Sequence, residues 1–408
     1  MIIADLHLHS KYSRATSKQL DLPNLEKWAK IKGLNLLGTS DFQHPIWNKH
    51  IKEKLEQKDN GILISKDGFN FILQTEISLM YTQGGKGRRI HHLILAPNLD
   101  VADQIIEALG KKGRLDYDGR PIFGFSSIEL VDMMHEISNQ IEVIPAHCMT
   151  PWFGVFGSKS GFDNLKECFE ERINKIHAVE TGLSADPEML WRFSWLDNKS
   201  ILSFSDLHSF WPWRIGREAT LFDIELSYKN ILNAIKTGEG LSSTIEVDPA
   251  YGKYHFDGHR NCKLRLSPEE SLKFNNICPK CGRPLTIGVM NRIEQLADRD
   301  KGFKTANAKP FKKLIPLSEL ISVSTGVKQL YSKTIWDVYN KLISEFKSEF
   351  NILLNVSLED LSRIVDDKLA NLIINNRNEK MKILPGYDGE YGELILEKED
   401  QQSLTSFG

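Results

Sequence analysis

The sequence predicts an α/β fold, and three observations carry that expectation. Short apolar runs alternate with amphipathic segments over about the first 225 residues. Strand-like runs separated by helical ones are the pattern of parallel strands, in a barrel or a doubly wound sheet. Residues able to bind metal stand where the apolar runs end, the position at which such folds keep their active sites.

Ile2-Ile3-Ala4 leads into Asp5-Leu6-His7-Leu8-His9 and reads as a strand. From Leu22 to Lys32 apolar residues recur close to helical spacing (Leu22, Leu25, Trp28, Ala29, Ile31), and Gly33 supplies a C-cap. Strands are expected at 34–39, 71–77, 90–96, 141–146, 178–181, 201–205 and 220–224. Ser126-Ser127-Ile128-Glu129 has the form of a capping box, opening a helix to about Ser138. After about residue 245 the periodicity fades into a segment rich in Gly, Cys, His, Pro and Asn. A basic stretch follows, with six lysines against one glutamate between Lys301 and Lys328, and a helical pattern resumes from Ile335 to Asn375. The expected division is 1–245, an α/β domain; 246–300, a zinc-binding module; 301–390, a basic linker and helical domain; and 391–408, an acidic tail.

At 41% hydrophobic and 26% charged, the 408 residues suit a globular protein and exclude fibrous or wholly disordered classes. No apolar run reaches the ~18 residues of a membrane span. The first residues lack the basic and apolar regions of a signal peptide, so a cytoplasmic, nucleoid-associated protein without a membrane partner is expected. The net charge of −2 argues against a protein that coats nucleic acid. Five cysteines, three of them within twenty residues, suggest a metal site rather than disulfides.

His7 and His9, two apart on a strand, face the same way. The next strand ends in Thr39-Ser40-Asp41-Phe42-Gln43-His44. Glu76, His91-His92, His147 and Asp206-Leu207-His208 follow at later strand ends or starts. Imidazole and carboxylate together suit Zn, Mn or Fe. A lone strand-end histidine is more often structural, and His50, His135 and His177 are read that way. Of the adjacent His91 and His92, alternation lets only one point inward, with a slight preference for His92. His259-x2-Cys262 and Cys278-x2-Cys281 have the spacing of a closed structural zinc site, with His255 as a competing ligand.

This series resembles the PHP (polymerase and histidinol phosphatase) domain. The motifs are Asp5-Leu6-His7-Leu8-His9-Ser10, Thr39-Ser40-Asp41, Thr75-Glu76, His91-His92-Leu93, Ala146-His147 and Ser205-Asp206-Leu207-His208. The resemblance implies a distorted (β/α)7 barrel holding two divalent metals, Zn or Mn. His7, His9, Glu76 and Asp206 would hold one; Glu76, His147 and His91 or His92 would hold the other. A third would use His208 and His44. Asp206, Glu76 and Asp41 would be the catalytic carboxylates. The barrel, the Tyr254-to-Cys262 module, Ser209-Phe210-Trp211-Pro212-Trp213-Arg214-Ile215-Gly216-Arg217 and the helical tail together are similar to the endonuclease Q family. That family nicks duplex DNA 5′ of deaminated bases (uracil, hypoxanthine, xanthine) and abasic sites. Base flipping then asks for stacking surfaces, for which Tyr12, Trp211 and Trp213 are candidates, and for phosphate contacts from Arg14, Arg214 and Arg217.

Gln401, Leu404 and Phe407 fit the spacing of a sliding-clamp (PCNA) binding peptide. A monomer suffices for such an enzyme. Two other readings share these residues: a small-molecule phosphatase of the histidinol-phosphate type, and a non-catalytic DNA- or clamp-associated protein.

Overall fold

The computed structural model describes residues 1–395, so the Gln401, Leu404 and Phe407 pattern lies outside the described residues. The chain begins with β1 (Ile2–Asp5), α1 (Leu22–Lys32), β2 (Leu36–Gly38), α2 (Pro45–Lys54), β3 (Leu55–Gln57) and β4 (Leu63–Ser65). A long hairpin follows, β5 (Asn70–Gln83) and β6 (Lys86–Ala96), then α3 (Leu99–Gly110), β7 (Ile122–Phe123), α4 (Ser127–Ile137) and β8 (Glu142–Pro145). Next come α5 (Leu165–Phe169), β9 (Ala178–Glu180), α6 (Pro187–Leu190), β10 (Ser200–Leu202), β11 (Ala219–Phe222), α7 (Tyr228–Thr237) and β12 (Leu241–Glu246).

α1 begins and ends where the sequence indicates. The Asp21 carboxylate accepts from the Asn24 amide at its start, and Gly33 closes it at φ +99°. In α4 the Ser126 hydroxyl accepts from the Glu129 amide. The expectation of parallel strands holds for β1 with β2, β2 with β5, and β9 with β10. It fails at other pairs: β5 with β6, β6 with β8, and β11 with both β1 and β12 are antiparallel. β5 and β6 form one continuous hairpin, turned at Gly84 and Gly85, both with positive φ, as a two-residue hairpin turn requires.

The sheet runs β15-β12-β11-β1-β2-β5-β4-β3, with β6, β7 and β8 attached through β5 and with β15 (Phe311–Lys313) at one edge; β9 and β10 form a separate pair. Among the described residues no unbroken ladder closes this sheet into a barrel. A buried apolar layer from Ala4, Leu6, Leu36, Ile72, Leu93, Ile144, Leu202 and Phe222 fills one side and is covered by α7 through Ile231 and Ile235. The segment expected to be linker thus supplies an edge strand, lying parallel to β12.

The small module holds β13 (Asp257–His259), β14 (Leu264–Leu266), α8 (Pro268–Lys273) and α9 (Val289–Leu296). Beyond β15 come α10 (Leu317–Thr325), α11 (Lys333–Phe346), α12 (Glu349–Leu354), α13 (Leu358–Ser362) and α14 (Asp367–Arg377), then the β16 (Lys382–Leu384) and β17 (Glu393–Ile395) ribbon. A buried ion pair joins α12 to the end of α1: Lys32 Nζ lies 2.7 Å from Glu349 Oε1. Beside it Trp28, Trp211, Trp213 and Trp336 pack ring against ring, with centroids 5.5 to 6.1 Å apart. No helix among the described residues is long and apolar enough to cross a membrane.

Candidate metal centre

The ends of β1, β2, β8, β9 and β10 and the middle of the β5–β6 hairpin converge on one buried cluster. The backbone bends sharply there: Ser40, Asp41, His147 and Asp206 all have positive φ, a conformation that side-chain-bearing residues adopt at a cost. Gly182 lies against the His147 side chain so closely that a Cβ would collide with it.

His7, His9, Glu76 and Asp206 form one group whose ligand atoms lie within 4.8 Å of each other. His9 Nε2 is 3.1 Å from Glu76 Oε2 and 3.2 Å from Asp206 Oδ1. His7 Nε2 is 3.6 Å and 3.7 Å from Glu76 Oε1 and Asp206 Oδ1. Glu76, His91 and His147 form a second group. There Glu76 Oε1 is 2.8 Å from His91 Nδ1 and 3.2 Å from His147 Nε2. Glu76 is fully buried and common to both groups.

The donor set fits divalent ions. His7 Nε2, His9 Nε2 and Asp206 Oδ1 are buried, point toward one another and have no hydrogen-bond partner, an arrangement that a cation would satisfy. The opposite ring nitrogens are held from behind. His7 Nδ1 lies 2.8 Å from Glu180 Oε1, and Glu180 Oε2 also accepts from the His147 amide at 2.7 Å. His9 Nδ1 lies 3.3 Å from Asp41 Oδ1, while Asp41 Oδ2 accepts from the Ser10 amide at 2.6 Å and the Ser13 hydroxyl at 2.8 Å. Such carboxylates fix ring orientation and raise ligand basicity.

The charges reinforce one another. Burial disfavours a charged His7, yet Glu180, Glu76 and Asp206 hold its pKa well above the ordinary value. Burial likewise opposes a charged Glu76, yet His91, Arg120 and His7 keep its carboxyl well below the usual range. His91 itself is pushed down to about 4, by burial above all.

The register of the hairpin decides between the adjacent histidines. Ser78 stands opposite His91 and Ile77 opposite His92, so His91 shares a face with Glu76. His92 is on the other face, with Nε2 2.8 Å from Ser127 Oγ, which reverses the preference drawn from sequence. Asp41 stands behind His9 rather than beside the ligand atoms, a correction to its place among the reacting carboxylates. His44 and His208 join neither group among the described residues. His44 stacks on Tyr12 at 4.4 Å, and His208 packs 4.7 Å from the His9 ring with Nδ1 donating to the Asp206 carbonyl. Among the described residues no third group of converging ligand atoms forms around them, although His208 Nδ1 lies 3.7 Å from Asp206 Oδ1.

Two contributors went unread in the sequence. Glu180 is a single acid at a strand end with no motif around it. Arg120 lies in a charged loop, and its Nη1 is 3.0 Å from Glu76 Oε2.

Of the expected DNA contacts, Arg14 and Arg214 are exposed, Arg14 with Nε 3.2 Å from Asp118 Oδ2. Arg217 spends Nε and Nη2 on the Ser205 carbonyl, at 3.1 and 2.9 Å, and so braces the strand end before Asp206. Trp211 and Trp213 stack on each other inside the tryptophan cluster. They pack against Trp336 of α11 instead of lining the metal centre.

In the small module His259, Cys262, Cys278 and Cys281 come together, with Cys281 Sγ 3.3 Å from His259 Nδ1. His255 stays outside that quartet; its ring is buried beside Phe256 at 5.3 Å.

Two solved structures are similar to the chain over essentially its whole length. The lesion-specific endonuclease PfuEndoQ from Pyrococcus furiosus is 31% identical, with a TM-score of 0.87 over 100% of this chain and 99% of that one. An endonuclease Q bound to a 27-mer duplex with an abasic lesion at the active site is 32% identical, with a TM-score of 0.86 over 98% and 97%. The protein MJ0043 of Methanocaldococcus jannaschii is 35% identical over 257 residues, 61% of this chain and 31% of that protein, so the chain spans under a third of that relative. The model of the MJ0043 C-terminal domain family matches residues 316–380.

Proposed function

The chain belongs to the endonuclease Q family, and on that premise we propose that it nicks duplex DNA on the 5′ side of deaminated bases and abasic sites. It is a metal-dependent nuclease of DNA repair. The observation that carries the reading is the fully buried Glu76 shared by two ligand groups, a layout suited to two divalent ions. Bound there, such ions supply a water of lowered pKa and offset charge on the phosphate.

The protein's own groups prepare that chemistry. His7, His9, Glu76 and Asp206 would hold one ion, and Glu76, His91 and His147 the other. Glu180 and Asp41 orient the rings of His7 and His9, and the tight packing around them limits reorganisation. The mixed sheet is read as the wall of a PHP-type barrel. His259, Cys262, Cys278 and Cys281 are read as a structural zinc site whose role is to fold the module. Uracil, hypoxanthine and xanthine as substrates, extrusion of the lesion from the helix, a monomeric state, a nucleoid location in the cytoplasm and docking on a sliding clamp through the C-terminal peptide complete the proposal.

The test is a labelled duplex with one uracil, hypoxanthine or abasic site, incubated with protein and Zn or Mn. Cleavage immediately 5′ of the lesion, abolished by Asp206→Asn or Glu76→Gln, is the expected result. Release of phosphate from small monoesters with no nicking of any lesion duplex would overturn the reading in favour of a phosphatase.

A further inference from the structure

Arg120 is brought to the metal centre by a loop that is fastened on both sides. The Pro121 carbonyl accepts from the Ser78 amide at 3.1 Å, and Ile122 pairs with Ser78 in the β5–β7 ladder, two residues from Glu76. The Gly119 amide donates to the Tyr12 carbonyl at 3.0 Å, and the Gln43 side chain donates to the Gly119 carbonyl. A Cβ at Gly119 would collide with the side chains of Asp41 and Ser13, so only glycine lets the loop lie this close. The Arg120 amide is held in turn by Asp118 Oδ1 at 3.1 Å.

From this anchored position the guanidinium reaches Glu76 Oε2 at 3.0 Å. It comes from the solvent side: the Arg120 side chain is 26% exposed, whereas Glu76 is fully buried. Glu76 is the one residue common to both ligand groups, so ions held there engage its carboxylate. A guanidinium has five donors in a planar fork and cannot be deprotonated. Once Glu76 serves the ions, those donors face the mouth of the site without their partner. A phosphodiester entering the mouth presents paired anionic oxygens that match the fork. Arg217 is engaged by a carbonyl and Arg14 by Asp118, so neither competes for that place.

We propose that Arg120 is a phosphate-binding residue, which leaves Glu76 when the ions are held and grips the non-bridging oxygens of the scissile phosphate. This deepens the nuclease reading above and rests on it.

The test compares wild type, Arg120→Met and Arg120→Lys, each loaded with metal and assayed for bound ions. Inorganic phosphate, used as a probe, should raise the melting temperature of the wild type and leave that of Arg120→Met unchanged. On lesion duplex, Arg120→Met should lose about 10²- to 10³-fold in rate with its metal content intact, the loss typical of removing one transition-state donor. Arg120→Lys keeps the charge but loses the fork, and should fall between the two. Wild-type rates and phosphate response in Arg120→Met would overturn the proposal. So would loss of the bound ions from both variants, which would make Arg120 a counter-charge for Glu76. Failure of the wild type to nick any lesion would overturn the nuclease reading, while the phosphate response still tests Arg120.

Discussion

Replacing Glu180 with Gln tests whether the carboxylate behind the ligands sets metal affinity. Glu180 uses both oxygens: His7 Nδ1 lies 2.8 Å from Oε1 and 3.0 Å from Oε2, and the His147 amide donates to Oε2 at 2.7 Å. Glutamine keeps one acceptor oxygen and puts an NH2 at the other position. Whichever way the amide turns, its N–H2 faces another donor, either His7 Nδ1–H or the His147 amide. Glu180 is fully buried, so no bulk water replaces the lost partner. An unsatisfied buried donor costs about 1–3 kcal/mol. The usual effect of removing such a supporting carboxylate is 10- to 100-fold in metal affinity, or about 1.4 to 2.8 kcal/mol, and the two routes agree. Competition against a chromophoric chelator measures the affinity, with thermal melting as the control for folding. An affinity within twofold of wild type in a well-folded Glu180→Gln would refute the argument, because Glu180 would then only fill space.

Three further outcomes are expected. Lys32→Met strands Glu349 in the core, where Tyr339 OH and the Leu317 amide still donate to it at 2.8 and 3.0 Å, and should cost about 3–5 kcal/mol in a urea titration. Glu246 is pushed up to about 8, by burial above all, and the neighbouring buried Glu218 is raised well above its ordinary value. Folded Glu246 keeps its proton where the unfolded chain has lost it, so this pair's contribution is full below about pH 4.5 and fades as pH rises through about 8. Melting curves across that range should therefore be flatter for Glu246→Gln than for wild type. Cys278→Ser should release one equivalent of bound metal and lower protease resistance in residues 250–290, with the ions of the Glu76 centre retained.

Much of the centre was legible because its ligand types stand in short motifs in or just past apolar runs. His7 and His9 announce a common face by themselves, and the two Cys/His pairs announce a closed quartet. α1 was legible at both ends, since Asp21 and Gly33 are caps whose chemistry is local. The β5–β6 hairpin was not. Its only signal is Gly84-Gly85, and the flanking strands look like two separate members of a parallel sheet. That omission hid the register, and with it the choice of His91 over His92. Glu180 and Arg120 were illegible for a different reason: each acts through a partner more than forty positions away. Trp211 and Trp213 misled because an aromatic beside a metal motif looks the same in sequence whether it faces a ligand or a neighbouring helix.

The tryptophan cluster gives the molecule a built-in optical gauge. Four of the eight indoles sit together where α1 and the 211–213 segment meet α11. Trp28, Trp211 and Trp213 come from one side and Trp336 from the other. Rings this close couple electronically, so their circular dichroism and emission depend on how they stand to one another. A hinge opening at this seam as DNA is engaged would change that signal without any added label. A rigid seam would keep it constant through the same titration.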